Sequence, residues 1–182
     1  MTTREVLKMY SDYKSPYAWL AFDPALDLEQ RFAVKLKWIP FQLRIKGSGQ
    51  RSIYSEYKVK YSYMDARRTA NERGDKKIIR GPLKIYDTAP ALIGGMFAEK
   101  QGKIVEYSRQ VFELFFKREL AVDEVDAVAK FMDEIWPLGK GIPDVLRRRW
   151  PGGLRERAER SFNRPDFWRA DLHFPQRTVL GQ

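Results

Sequence analysis

At 182 residues the chain has the length of one domain, and with 43% apolar residues it can bury a core without covalent staples. It has no cysteine and a single histidine, His173, which excludes a disulfide framework, a thiolate zinc site and redox chemistry by a protein thiol; no metal site is expected. The formal charge of +10 invites a polyanion, yet residues 1–140 spread 25 Lys plus Arg against 19 Asp plus Glu over short segments, without zinc-finger spacing or an aromatic RNA-recognition signature, so no specific nucleic-acid partner is expected.

Met1 to Lys8 holds no continuous apolar run, and no later segment approaches the roughly 20 apolar residues of a membrane span, so a cytoplasmic protein with no membrane partner is expected. Val6 to Tyr13 is a β-prone run. Ser15-Pro16-Tyr17-Ala18-Trp19-Leu20-Ala21 then reads as a helix start, with Ser15 in the N-cap place and Pro16 at the first helical position, where proline is tolerated. Pro24 is expected to kink or restart this helix, which runs to about Arg31. Val34 to Pro40 alternates Val34, Leu36 and Trp38 with polar residues, as a strand does. Strand, helix and strand in this order predict two parallel strands joined by a crossover.

After Gln42 the character changes. Arg44 to Ser52 is a basic Gly/Ser loop, and the apolar residues beyond it recur with helical period. Tyr57, Tyr61 and Met64 form one stripe, and Ala89, Leu92, Ile93, Met96 and Phe97 a second. Tyr107, Val111, Leu114 and Phe115 form a third, and Val125, Val128, Ala129 and Met132 a fourth. Gly74, Arg80-Gly81-Pro82, Gly102 and Leu120-Ala121 separate them. The basic residues then change type: residues 141–182 carry nine, all arginine.

Tyr10 to Ala21, the later Trp38-Ile39-Pro40-Phe41, and Lys58-Val59-Lys60-Tyr61 with Asp65, Arg68 and Gly74 resemble the 2-hydroxychromene-2-carboxylate isomerase family. That family is related to the kappa-class glutathione transferases. The resemblance covers residues 5 to about 135 in order, and it implies an α/β thioredoxin-like fold of the DsbA type with a large inserted helical domain. The implied division is 1–43 for the N-terminal βαβ half, 54–135 for the inserted helices and 141–182 for an atypical Arg-rich tail. It further implies a homodimeric, bacterial, glutathione-dependent isomerase acting on a small aromatic or unsaturated carboxylate. The alternatives are a kappa-like glutathione transferase and a non-catalytic DsbA-like binding protein.

Carried over to this sequence, the resemblance gives Ser15 the catalytic place and assigns Ser15, Pro16, Lys58 and Asp65 to glutathione. Tyr17, Trp19, Trp38 and Lys58 are assigned to the substrate. The chemistry is argued independently at Ser15. A helix N-terminus offers unpaired N–H groups and partial positive charge, which stabilise an anion such as a thiolate, and a hydroxyl adds one donor. A serine before a proline is also an ordinary N-cap, aromatic residues in a first helix are also ordinary core, and Asp65 and Arg68 are also an ordinary solvated helix face.

The family writes the second half of its sheet with Phe-Gly-Val-Pro-Thr-Phe, a proline hairpin that residues 141–182 lack. Reading the codons of Asp166 to Phe174 one base later allows Ile-Phe-Gly-Val-Pro-Thr-Phe-Ile, and reading on through Gly181 allows Phe-Arg-Asn-Glu-Leu-Phe-Trp-Gly. The resemblance therefore implies a reading frame that slips between about Ile135 and Ile142. On that account the tail forms no hairpin, and at most a helix around Leu146 to Arg160.

Overall fold

The computed structural model describes residues 4–43, 56–74 and 79–135. Strand β1 (Glu5–Ser11) leads into helix α1 (Pro16–Arg31) and strand β2 (Val34–Pro40). Four helices follow: α2 (Glu56–Arg73), α3 (Ala89–Lys100), α4 (Ile104–Lys117) and α5 (Val125–Ile135). The strands pair in parallel, from Glu5 opposite Val34 to Ser11 opposite Pro40. The expected strand–helix–strand unit and the helical block are both present. Expectations for Arg44 to Ser52 and for the tail 141–182 with His173 lie outside the described residues.

Helix α1 starts where Ser15 and Pro16 predict. Ser15 is extended, at φ −86° and ψ 115°, and its Oγ accepts the Ala18 N–H at 3.2 Å. The helix runs on through Pro24, so it does not restart there as one of the two expected outcomes had it. Proline has no N–H, so the Leu20 carbonyl four residues earlier loses its helical donor. Arg73, in the last turn of α2, donates Nη1 to that carbonyl at 2.9 Å. The gap left by the ring is filled from the neighbouring helix. Trp19, Leu20 and Phe22 meanwhile hold the first half of α1 on the core, and Leu26 packs against it from the second half.

The core lies between α1, the inner face of β2 and α3 to α5. Tyr13 is wholly buried, 5.0 Å from Phe112 and 6.0 Å from both Trp38 and Tyr107 between ring centroids. Its hydroxyl shares a 2.9 Å hydrogen bond with Ser108. Trp19 stacks on Phe116 with centroids 4.8 Å apart and planes within 1°. Helix α3 comes close to β2 because residue 95 is glycine: a Cβ there would lie 2.8 Å from the Trp38 ring and 2.7 Å from the Tyr13 hydroxyl.

The stripes of α4 and α5 are buried as expected, and α3 is buried nearly all round. Helix α2 differs. Tyr57, Tyr61 and Met64 are exposed, and Tyr63, Ala66 and Ala70 are its buried residues. Two alanines on the inner face let α2 approach α1, and the tyrosines, which carry a polar tip, are left outside. Gly74, at φ 72°, ends the helix in the left-handed conformation that glycine tolerates.

Candidate active site

The turn from β1 into α1 is held by one carboxylate. Asp12 is 2% exposed and accepts four contacts. Its Oδ1 takes the Lys14 N–H at 3.2 Å and the Thr88 hydroxyl at 2.7 Å, while its Oδ2 takes the Leu43 N–H at 2.7 Å and pairs with the Lys14 ammonium at 3.3 Å. Thr88 stands in the N-cap position of α3 but makes no side-chain cap there, because its hydroxyl is committed to Asp12. Asp12 therefore ties the head of α1 to the head of α3 and to the chain leaving β2. A buried carboxylate is tolerated on such terms, with its lone pairs filled and a cation beside it.

Lys14 is fixed in turn. Its ammonium also donates to the Tyr86 carbonyl at 3.2 Å, and its own carbonyl accepts the Tyr63 hydroxyl at 2.9 Å. Burial, and after it the charge of Asp12, holds the Tyr63 phenol well above its ordinary range, so it remains a donor.

A cleft of about 220 Å³ opens against this turn. Ser15 and Tyr17 bound it from α1, Val59 and Tyr63 from α2, and Tyr86 from the segment before α3. Its charged lining consists of Lys14 and Lys84, with no carboxylate among the described residues. Lys84 pairs outward with Asp123 at 2.7 Å and stands 5.3 Å over the Tyr86 ring. A larger, shallower hollow of about 590 Å³ lies between α1 and α4, where Asp23 and Arg109 face each other at 2.8 Å. Its lining is mostly polar and charged, so the smaller, largely apolar cleft is the chemical candidate. No group of three or more His, Cys, Asp or Glu able to hold a metal occurs among the described residues.

Donors at the head of α1 meet this cleft. The Ala18 N–H is satisfied by Ser15 Oγ and the Trp19 N–H by the Ser15 carbonyl at 3.2 Å, and Pro16 has none. Among the described residues the Tyr17 N–H has no protein partner. Because Ser15 Oγ acts as an acceptor toward Ala18, its own O–H remains free to donate. Together they form an anion-accepting corner.

The predicted site residues separate into two groups. Ser15, Pro16 and Tyr17 line the cleft. Asp65 stands at its edge and accepts the Tyr17 hydroxyl at 2.8 Å; desolvation, and then this carboxylate, raise the Tyr17 phenol above its ordinary value. Lys58 lies on α2, and its side chain is outside the described residues. Trp19 and Trp38 are each 5% exposed, and neither lines the cleft. Trp19 is spent on Phe116 and Trp38 on Tyr13 and Gly95, so both belong to the core rather than to a substrate pocket. Asp12, Lys14, Tyr63 and Tyr86 were missed. The available signal was a carboxylate and an amine flanking a strand-to-helix turn, three and one residues before the N-cap.

A parallel βαβ unit with an anion-accepting helix start at its crossover, followed by a helical block, defines a thioredoxin-like α/β protein. The chain belongs to the family of DsbA-like thioredoxin domains, whose pattern it matches over residues 6–135. It is 26% identical over 147 residues to the uncharacterized protein YwbO of Bacillus subtilis (strain 168), covering 79% of this chain and 72% of that one. The solved structure of a 2-hydroxychromene-2-carboxylate isomerase superposes with a TM-score of 0.64 at 19% identity, over 86% of this chain and 78% of the other. The two share a fold. No helix among the described residues is long and apolar enough to cross a membrane.

Proposed function

We propose that the chain is a glutathione-dependent isomerase of a small aromatic or unsaturated carboxylate, with the thiol end of glutathione at the head of α1. The observation that carries this reading is the corner itself: a Tyr17 N–H with no partner among the described residues and the Ser15 hydroxyl, at one end of a cleft with apolar and aromatic walls. No protein thiol exists in the chain, so a sulfur nucleophile must come from a cofactor. The residues present fit that group. Two uncharged donors and a helix N-terminus favour the thiolate over the thiol, and among the described residues no carboxylate lines the cleft to oppose it.

The chemistry that glutathione would supply when bound is a sulfur nucleophile able to add reversibly to an electron-poor carbon, which would permit rotation about a former double bond. The chain's part is to hold and orient. Ser15 Oγ–H and the Tyr17 N–H donate toward the sulfur position, and Asp12 fixes the turn that carries them. Val59 and the Tyr63 and Tyr86 rings exclude water from the reacting carbons.

Thermal unfolding with and without glutathione tests the reading. At a hundred times its dissociation constant a ligand adds about 2.7 kcal/mol of stability by mass action. Wild type should show a shift at millimolar glutathione, and Ser15→Ala should lose most of it in addition to about 1 kcal/mol of cap stability. No shift at millimolar glutathione would remove the reading. If binding is seen, isomerisation of 2-hydroxychromene-2-carboxylate with glutathione present separates the isomerase from a binding protein.

A further inference from the structure

Lys14 is one-tenth exposed, and what remains open lies in the cleft wall next to Ser15. An ammonium has three N–H donors. Among the described residues the ammonium donates to the Tyr86 carbonyl at 3.2 Å and pairs with Asp12 Oδ2 at 3.3 Å, two contacts for three donors. Asp12 is filled from three other directions, so it holds the ammonium in place without depending on it for every lone pair. The other cation in the wall, Lys84, is more than half exposed and engaged by Asp123. With aromatic and aliphatic walls and no carboxylate among the described residues that line it, a ligand of complementary chemistry is flat, apolar and singly anionic at one end.

We propose that Lys14 is the anion-selecting residue of this cleft, its third N–H donating to an anionic atom of the ligand while Asp12 and the Tyr86 carbonyl hold the ammonium from behind. The proposal rests on the cleft being the ligand site. The anionic atom has two sources, a carboxylate oxygen of an aromatic acid or the sulfur of glutathione, and the test separates them.

Titration calorimetry on the full chain compares two matched pairs of probes: trans-cinnamate against cinnamamide, alike in shape and different in charge, and glutathione against S-methylglutathione. A charge-assisted hydrogen bond in a sheltered site corresponds to a preference of about tenfold for the anion. Lys14→Met alone would strand the buried Asp12 charge, so the informative variant is the double Asp12→Asn/Lys14→Met, in which both charges go together. Read as the ratio of affinities within each pair for the same variant, it should lose the cinnamate preference if the source is a carboxylate, or lose the glutathione preference if the source is the sulfur.

Lys14→Arg should keep a preference. Asp12→Asn alone, which leaves the ammonium without its internal counter-charge, should tighten the anionic probe severalfold. A preference that survives in the double variant overturns the proposal. So does a wild type that binds both members of each pair equally, or binds none, and so does weaker anion binding in a folded Asp12→Asn. Lys14-dependent cinnamate binding without any glutathione binding would remove the glutathione reading and leave this assignment standing.

Discussion

Pro24 sits inside a 16-residue helix that does not break, and the Arg73–Leu20 hydrogen bond is the physical account of it. The test is a double-mutant cycle. Replacing Arg73 with Met removes the donor and leaves the Leu20 carbonyl, already deprived of its helical partner, unpaired in a half-buried setting. A charged donor on a neutral acceptor contributes about 1.5–3 kcal/mol when sheltered. The arginine is exposed along much of its length, so about 1 kcal/mol is the expected cost. Pro24→Ala restores an N–H four residues after Leu20, and with it the ordinary helical bond. In that background Arg73→Met should cost less than half as much, giving a coupling of about 0.5–1 kcal/mol. Urea unfolding followed by circular dichroism at 222 nm measures all four corners. Equal costs of Arg73→Met in the two backgrounds would refute the reasoning, because the arginine would then be acting somewhere other than on the orphaned carbonyl.

Gly95→Ala places a methyl 2.7 Å from the Tyr13 hydroxyl and 2.8 Å from the Trp38 ring, and should cost about 1–3 kcal/mol in the same assay; no cost would mean that α3 does not sit against β2 as described. Trp19→Ala empties the space against Phe116 and should cost about 3–5 kcal/mol, as a core residue does; a cost well under 1 kcal/mol would mean that the ring does not sit in the core. Burial raises the phenols of Tyr13, Tyr63 and Tyr107, so above the ordinary tyrosine range near pH 10 the folded chain keeps protons that the unfolded chain releases. Their contribution to stability is complete below about pH 10 and is lost as pH climbs further, which urea midpoints at pH 8 and at about pH 11 should show as a fall. Sequencing the gene around the codons for Ile135 to Ile142 and Asp166 to Phe174 checks the frame slip: a shifted frame unable to encode the proline run ends that account.

What could be read from the sequence was whatever local chemistry decides. Ser15 and Pro16 fix a helix start through capping and a preset φ, and the alternation of Val34, Leu36 and Trp38 fixes a half-buried strand; both occur where predicted. The family pattern over 6–135 was legible because its order and spacing survive in short runs. The inner face of α2 was not. Counting large apolar residues favours Tyr57, Tyr61 and Met64, whereas close approach to α1 selects Ala66 and Ala70, a tertiary requirement with no local trace. The restart at Pro24 was misjudged for the same reason, since the rescue comes from Arg73, 49 positions away. Asp12 and Lys14 look like a polar turn until Thr88 and Tyr86, more than 70 residues later, are brought beside them.

The same distances bear on how far the site depends on the rest of the chain. The described groups that shape the cleft come from the turn into α1, α1 itself, α2 and the segment before α3, but Tyr86 packs on Phe115 of α4 and Lys84 pairs with Asp123 beyond it, so anion binding needs α4 to hold its place as well. The sheet they rest on is thin. It has two strands among the described residues, and Val6 and Leu7 of β1 are 54% and 40% exposed although parallel strands are ordinarily covered on both faces. The cleft therefore rests on helix packing more than on the sheet. A perturbation of the aromatic layer between α1 and α4, as in Trp19→Ala, should loosen the head of α1 more than an equal perturbation at the start of β1, such as Val6→Ala. Hydrogen exchange at the Ala18 and Trp19 amides would register that difference.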